Sequence, residues 1–404
     1  MPRVMFVSAS ARLGGAERSL LELARAVGRD RFEPGAIVGG PGELTDSLRD
    51  AGLEVDVVEM PRITRTTDPV KIAGYIATVT RLSRTIAGIL RSRKTDIVHA
   101  NGILSHIYAG EGARQAKRPC VWHARDMIRL GPLAGHEQRN ATAVVAISEA
   151  VRAHLLREGT PGDKVRVVMN GVDLAPFEEQ PPGTGASARE AARSELGLDQ
   201  GAFVAGSAGA FVPWKRHEDF VRAFAALAEG EVVAAARDGT VEVAKLLPSR
   251  AVLFGDDLFG ENGRYAFELR KLADELLGAR FLFTGWRPDV PRMLPALDVF
   301  VSPSDGEPFG RVIVEAMAAG VPVIATDSGG KSEIVEDGVT GIIVPQGDVA
   351  ALAEAMESLM RDPPRRAALG EAARARAHSD FSADRVASEV MTVWDEALAL
   401  GPRA

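Results

Sequence analysis

The chain has 404 residues, too many for one compact core, because single hydrophobic cores stop growing near roughly 250–300 residues; two domains are expected. Hydrophobic residues make up 46% and charged residues 25%, an ordinary soluble globular mix that argues against disorder. A formal net charge of −7 argues against nucleic acid as a bulk partner, and the single cysteine, Cys120, excludes an internal disulfide and a cysteine-based zinc site.

One cysteine also favours a reducing compartment. No apolar run approaches the roughly 18–20 residues of a membrane span, and MPRVMFVSASARLGG turns polar too soon for a signal peptide. The expected location is the cytoplasm.

The first segment, VMFVSAS (residues 4–10), reads as a strand; ARLGGAE follows as a glycine loop and RSLLELARAV as a helix. AIVGG, LEVDVVEM, DIVHANG, CVWHARD, AVVAIS and VRVVMNGV repeat the strand pattern, with helical stretches such as EAVRAHLLREG between several of them. This alternation predicts a parallel sheet with helices on both faces. Residues 178–188, EEQPPGTGASA, read as a linker. The alternation restarts with FVAGSAGAF and HEDFVRAFAALA and continues through EVVAAAR, RAVLFGDD, RFLFTGW, DVFVSPS, VPVIAT and GIIVP. The expected architecture is α/β, with two doubly wound Rossmann-like domains facing across a cleft: residues 1–177, and residues 189–382 after the linker. The last helix, 383–400, is free to pack back on the first domain. Ligands in such sheets sit at the carboxyl ends of the strands, at the switch point.

Residues 62–94 hold eight Lys or Arg and one Asp, a local excess of +7. Ile72, Ile76, Val79, Ile86 and Leu90 fall on one helical face, and Arg81, Arg84 and Arg91 on the other. The cationic face reads either as a contact for anionic lipid or as a solvated charged face. Two further patterns point to other classes of function. ATDSGGKS (325–332) matches a loosened phosphate loop of an NTPase, but Asp327 would put an acid into the cradle and only SEIVED separates Lys331 from Gly338. A dehydrogenase would use the same sheet, but ARLGGAE lacks G-x-G-x-x-G.

Residues 302–330 read SPSDGEPFGRVIVEAMAAGVPVIATDSGG. From Gly310 an apolar stripe of Val312, Ile313, Ala316, Met317 and Ala319 predicts a helix that Gly320 ends. Glu307 lies before it and Glu315 inside it, eight positions on, so a loop folded over the helix start would let both acids face one ligand, with backbone amides between them at the positive helix end. The same residues also read as a solvated loop acid and a surface helix acid.

This stretch resembles the E-x7-E signature of retaining GT-B glycosyltransferases of family 4. The resemblance extends to GGAERSL, ISEAVR, VMNGVD, FTGWRPDVPRML and GGKSEIVEDGVTGIIVP, nearly the whole chain. It implies transfer of a sugar from a nucleotide diphosphate sugar, UDP- or GDP-linked, to a hydroxyl acceptor such as a lipid-linked or polysaccharide precursor. It also implies a donor held by the second domain, and neither a metal nor a cofactor. Glu315 would take the ribose hydroxyls, Glu307 the donor sugar, and the Phe309 and Gly310 amides the sugar and diphosphate. Trp286 and Arg287 would lie by the base, although Trp286 also reads as an ordinary surface aromatic.

Lys215 would meet the diphosphate, and Gly14 and Gly15 would let the first helix start approach a phosphate. One departure stands out: Ala210 occupies the place where the resemblance expects an arginine. Arg216 could supply that charge or be a solvated residue. His123 would lie close to the donor sugar, where its other reading is a satisfied strand-end histidine; Asn101 and Asp126 are weaker acceptor-side candidates. A sugar-nucleotide epimerase or hydrolase would share this fold. No function is read for residues 230–250.

Overall fold

The computed structural model describes residues 1–64, 66–129, 138–178, 187–230, 249–257 and 260–402. Most of the linker reading, the EVVAAAR strand and nearly all of residues 230–250 fall outside them. The chain forms two compact units: Met1–Asp173 together with Phe381–Ala404, and Leu174–Asp380.

The first unit holds a seven-stranded sheet in the order β3-β2-β1-β4-β5-β6-β7, every pairing parallel. Its strands are β1 (Arg3–Ser8), β2 (Glu33–Val38), β3 (Glu54–Val57), β4 (Ile97–Asn101), β5 (Cys120–Ala124), β6 (Ala143–Ala146) and β7 (Val165–Val167). Because successive side chains point to opposite faces, β1 feeds two cores. Val4 and Phe6 pack with the helix Gly15–Ala26 and the C-terminal helix Ala383–Leu400, whereas Met5 and Val7 pack with the helices Pro69–Ser92 and Ile103–Ala116. The C-terminal helix starts on a Ser382 cap that accepts from the Arg385 amide, and it buries Trp394 completely.

The helix Pro69–Ser92 corrects one sequence expectation. Asp68 caps it, with Pro69 in the first turn. Only Leu82, Ser83, Ile86, Ala87 and Leu90 are buried; Ile72 and Ile76 lie on the same stripe but are exposed, as is Val70 at 78%. The apolar stripe runs on past the end of the core it was expected to cover.

The second unit holds a six-stranded parallel sheet in the order β10-β9-β8-β11-β12-β13. These strands are β8 (Phe203–Ala208), β9 (Ser249–Phe254), β10 (Phe281–Gly285), β11 (Val299–Ser302), β12 (Val323–Thr326) and β13 (Gly341–Val344). A buried arginine ties the start of this unit to its sheet. Arg193 donates to the carbonyls of Ala296, Asp199, Gln200 and Ala202 and to Asp298, which also accepts from Arg189 and the Val204 amide.

Candidate functional site

In each sheet the strand order reverses once, and in open parallel sheets ligands bind where the loops leaving the two strands at such a reversal diverge. In the second unit the strands are β8 and β11. The loop after β8 carries Lys215, and the loop after β11 carries Glu307. Lys215 Nζ lies 2.5 Å from Glu307 Oε2, with both side chains largely buried, and 4.5 Å from the centre of the Trp214 ring. Ser304 Oγ donates to the same carboxylate oxygen at 3.3 Å, and the Asp305 amide donates to the Trp214 carbonyl at 2.7 Å, tying the two loops together.

The loop turns at Gly306 (φ +65°) and Gly310 (φ +107°), conformations that disfavour any side chain. Gly310 caps the helix Arg311–Ala318. Glu315 is buried one turn inside, with Oε1 2.8 Å from Arg311 Nε, so it is not a surface acid. Phe309 is buried beneath the helix start.

Lys331 adds to the objections already raised against the phosphate-loop pattern. Its side chain is fully buried, and its ammonium donates to the Ser304 carbonyl and to Thr326 Oγ1, underneath the loop that carries Glu307. Burial, aided by the charge of Lys215, lowers its pKa to about 8, against the pull of Glu307, Asp305 and Asp327. Lys331 therefore braces the loop from below and does not project into a phosphate cradle. Above it, the Gly330 amide donates to the Glu307 carbonyl at 2.8 Å.

The other two predicted cations of this unit sit in ion pairs. Arg216, in the left-handed conformation, pairs with Asp219 at 2.6 Å, and Arg287 grips Asp289 through two nitrogens at 2.9 Å and also contacts Glu195. Trp286 is 43% exposed. At Ala210, where an arginine was expected, the backbone carbonyl accepts from His217 Nε2 at 3.3 Å. Burial, with the charge of Lys215, holds His217 neutral by lowering its pKa to about 3.

In the first unit the reversal falls between β1 and β4. Asn101, at the end of β4, donates to the Ala16 carbonyl at 3.3 Å and accepts from Arg125 Nε at 2.8 Å. Arg125 also bonds Asn170 and is itself buried. His123, at the end of β5, is buried beside it; burial first, then the charges of Arg125 and His99, push its pKa well below the usual range. At the start of the first helix Glu17 folds back over Gly14. A Cβ on Gly14 would stand 2.8 Å from the Glu17 carboxylate, whereas one on Gly15 would meet open space. Burial raises the Glu17 pKa even though its own amide, Arg125 and the Gly14 amide lower it. Asp126 is also raised by burial, against the Ile128 amide and His154.

The structure thus gathers Lys215, Glu307, Phe309, Gly310 and Glu315 in the second unit, and Gly14, Asn101 and His123 in the first. It adds Arg125, Asn170, Glu17, Arg311 and Lys331, which the sequence reading passed over or assigned elsewhere. Asn170 stands in VMNGVD, a motif already singled out, and its place just after β7 was the available signal.

Residues 13–176 match the family Glycosyltransferase Family 4, and residues 188–376 match Glycosyl transferases group 1. The chain is 30% identical over 312 residues to the lipopolysaccharide core biosynthesis mannosyltransferase LpsB of Rhizobium meliloti (strain 1021), covering 70% of this chain and 81% of that protein. It is 35% identical over 242 residues to a D-inositol 3-phosphate glycosyltransferase of Salinispora arenicola (strain CNS-205), a match spanning 60% of this chain and 52% of that one. Among solved structures, that of Anabaena Alr3699/HepE in complex with UDP-glucose superposes with a TM-score of 0.78 at 26% identity, over 98% of this chain and all of that one.

Proposed function

The chain belongs to glycosyltransferase family 4, with the GT-B fold, and on that premise we propose that it is a retaining, metal-independent transferase moving a sugar from a UDP- or GDP-sugar to a hydroxyl of a lipid-linked or polysaccharide precursor. The observation that carries this reading is in the second unit, where Lys215 and Glu307 meet at the switch point and the helix that follows carries the buried Glu315.

Cleavage of a sugar–phosphate bond builds negative charge on the departing diphosphate, and fixed positive groups stabilise it. Lys215 and the amides at the start of the helix Arg311–Ala318 supply them. Glu315 accepts from the ribose hydroxyls, its carboxylate oriented by Arg311 Nε at 2.8 Å. Glu307 binds a hydroxyl of the donor sugar. Its Oε2 is held by Lys215 and Ser304, an arrangement suited to orienting a hydroxyl and poorly suited to a nucleophile. Retention then follows front-face attack, with the leaving phosphate accepting the acceptor's proton. The first unit, through Asn101, Asp126 and the His123–Arg125 cluster, contributes polar groups for acceptor and sugar hydroxyls.

The same reading places the enzyme in the cytoplasm, peripheral to an anionic membrane surface. Val70, Ile72 and Ile76 are exposed on a helix that also presents Lys71, Arg81 and Arg84 to solvent. Apolar residues that insert and cations that meet anionic headgroups are the two ingredients of interfacial helix binding. Flotation with vesicles of neutral and of anionic lipid tests it; equal recovery from both removes the membrane component.

Calorimetric titration with UDP, GDP and their sugar conjugates, in EDTA, tests the main reading. One nucleotide should bind, and Glu315→Ala and Lys215→Ala should each weaken it by about tenfold or more, the worth of a charge-assisted hydrogen bond. Retention is read from the anomeric configuration of the product. Absence of binding by every nucleotide, or an inverted product, refutes it.

A further inference from the structure

His123 ends a chain of three buried rings within the first unit. Trp394 Nε1 lies 3.0 Å from His99 Nδ1, and His99 Nε2 lies 3.0 Å from His123 Nδ1. All three side chains are buried, and Phe6 and Phe32 clamp the indole edge-on at centroid distances of 5.6 and 5.1 Å. Phe6 also meets His99 edge-on at 5.2 Å.

The proton positions follow from chemistry. An indole N–H can only donate, so His99 Nδ1 must be the bare, accepting nitrogen. A neutral His99 then carries its proton on Nε2 and donates it to His123 Nδ1. His123 Nδ1 is bare in turn, so the His123 proton sits on Nε2. That nitrogen is buried and has no hydrogen-bond partner among the described residues. Neither ring can take a second proton without breaking a link of the chain. The nearby positive charge of Arg125 opposes protonation of both rings, and burial is the larger cause of the same effect.

We propose that the C-terminal helix sets the tautomer of His123: Trp394, acting through His99, holds His123 as a fixed Nε2–H donor for a ligand oxygen and denies it the role of proton acceptor. Trp394 and His99 are positioning residues, and Phe6 and Phe32 keep the indole from turning away. A carbohydrate hydroxyl or phosphate oxygen satisfies such a donor, whereas a group that must itself donate does not. The identity of that ligand rests on the proposed transferase reading; the tautomer does not.

The test therefore starts without substrate. In the full-length protein with 15N-labelled histidine, long-range 15N–1H spectra, assigned with His99→Gln and His123→Asn, report which nitrogen of each ring carries the proton. Protonated Nε2 and bare Nδ1 on both His99 and His123, unchanged from pH 5.5 to 8, is the expected result. A proton on Nδ1 of either ring, or a histidine-like titration of His123 in that range, overturns the proposal, and this wild-type measurement holds even where a variant folds poorly. Trp394→Phe keeps a ring but removes the donor. His123 should then show a mixture of tautomers, and kcat/KM for the nucleotide sugar should fall by about two- to tenfold, the worth of one neutral hydrogen bond, with nucleotide affinity unchanged. A folded Trp394→Phe protein with His123 still wholly Nε2–H refutes the link to the helix. Failure of nucleotide binding in the wild type, with the tautomer as expected, would instead count against the transferase reading alone.

Discussion

Replacing Lys331 with methionine separates the brace beneath the donor loop from the chemistry above it. The lysine holds a fully buried charge whose pKa falls from 10.5 to about 8, mainly through burial. Holding that charge at neutral pH costs about 3 kcal/mol, at roughly 1.4 kcal/mol for each tenfold change in proton affinity. Lys331→Met relieves this cost but leaves Thr326 Oγ1 without the ammonium, a loss of about 1–3 kcal/mol; the Ser304 carbonyl keeps its bond from Thr326 at 3.0 Å. The two effects nearly cancel at pH 7, so the melting temperature should move by only a few degrees. The loop bearing Glu307 loses its anchor, and affinity for the nucleotide diphosphate should drop about tenfold.

The pH dependence fixes the sign. The folded-state pKa lies below the unfolded value, so between pH 8 and 10.5 the unfolded chain binds more protons than the native one, and the contribution of Lys331 to stability rises with pH through that window. Relative to the methionine variant, the wild type should gain about 3 kcal/mol from pH 7.5 to 10.5, or about 6–12 °C at 2–4 °C per kcal/mol for a unit of this size. Paired calorimetric scans of the two proteins at four pH values measure it. Parallel curves together with unchanged nucleotide affinity would refute the brace.

Two other perturbations read the same unit. A Cβ on Gly329 would stand 2.1 Å from the Glu307 carbonyl in a left-handed conformation (φ +68°); Gly329→Ala should displace Glu307 and weaken nucleotide binding in titration at least tenfold. Gly320→Ala, with similar φ (+73°) but no neighbouring atom closer than 4.0 Å, should carry only the backbone strain of about 1–2 kcal/mol and leave binding intact. Arg193→Met removes five hydrogen bonds and strands part of Asp298, so the second unit should lose about 3–5 kcal/mol, seen as a lower calorimetric transition for that unit with the transition of the first unit unmoved.

What the sequence showed and what it hid follow one physical division. Strands buried on both faces announce themselves as unbroken apolar runs, and β1, β4, β5, β8 and β11 were legible for that reason. The E-x7-E spacing was legible because loop and helix start are adjacent in the chain, with Glu307 just before the helix Arg311–Ala318 and Glu315 inside it. The residues left without a role depend on partners far along the chain. The neighbours of Lys331, Gly329, Gly330 and Ser332, give it a loosened phosphate-loop pattern that the sequence already argued against, but not its acceptors, which include Ser304, 27 positions earlier. Arg125 stood unnoticed between His123 and Asp126, since the asparagines that hold it lie 24 and 45 positions away.

Periodicity has the complementary blind spot. It places Ile72 and Ile76 on the stripe of Ile86 and Leu90, but it carries no information on where the covering core stops, and those residues emerge into solvent. Trp394 shows the division most sharply. The last helix was expected only to be free to pack back on the first domain, with no role read for Trp394, which is fully buried. The indole N–H reaches His99, 295 positions earlier, a link that arises only because the chain returns to the first sheet after completing the second. A residue of the buried core is therefore also the one that fixes the proton on the candidate site's histidine.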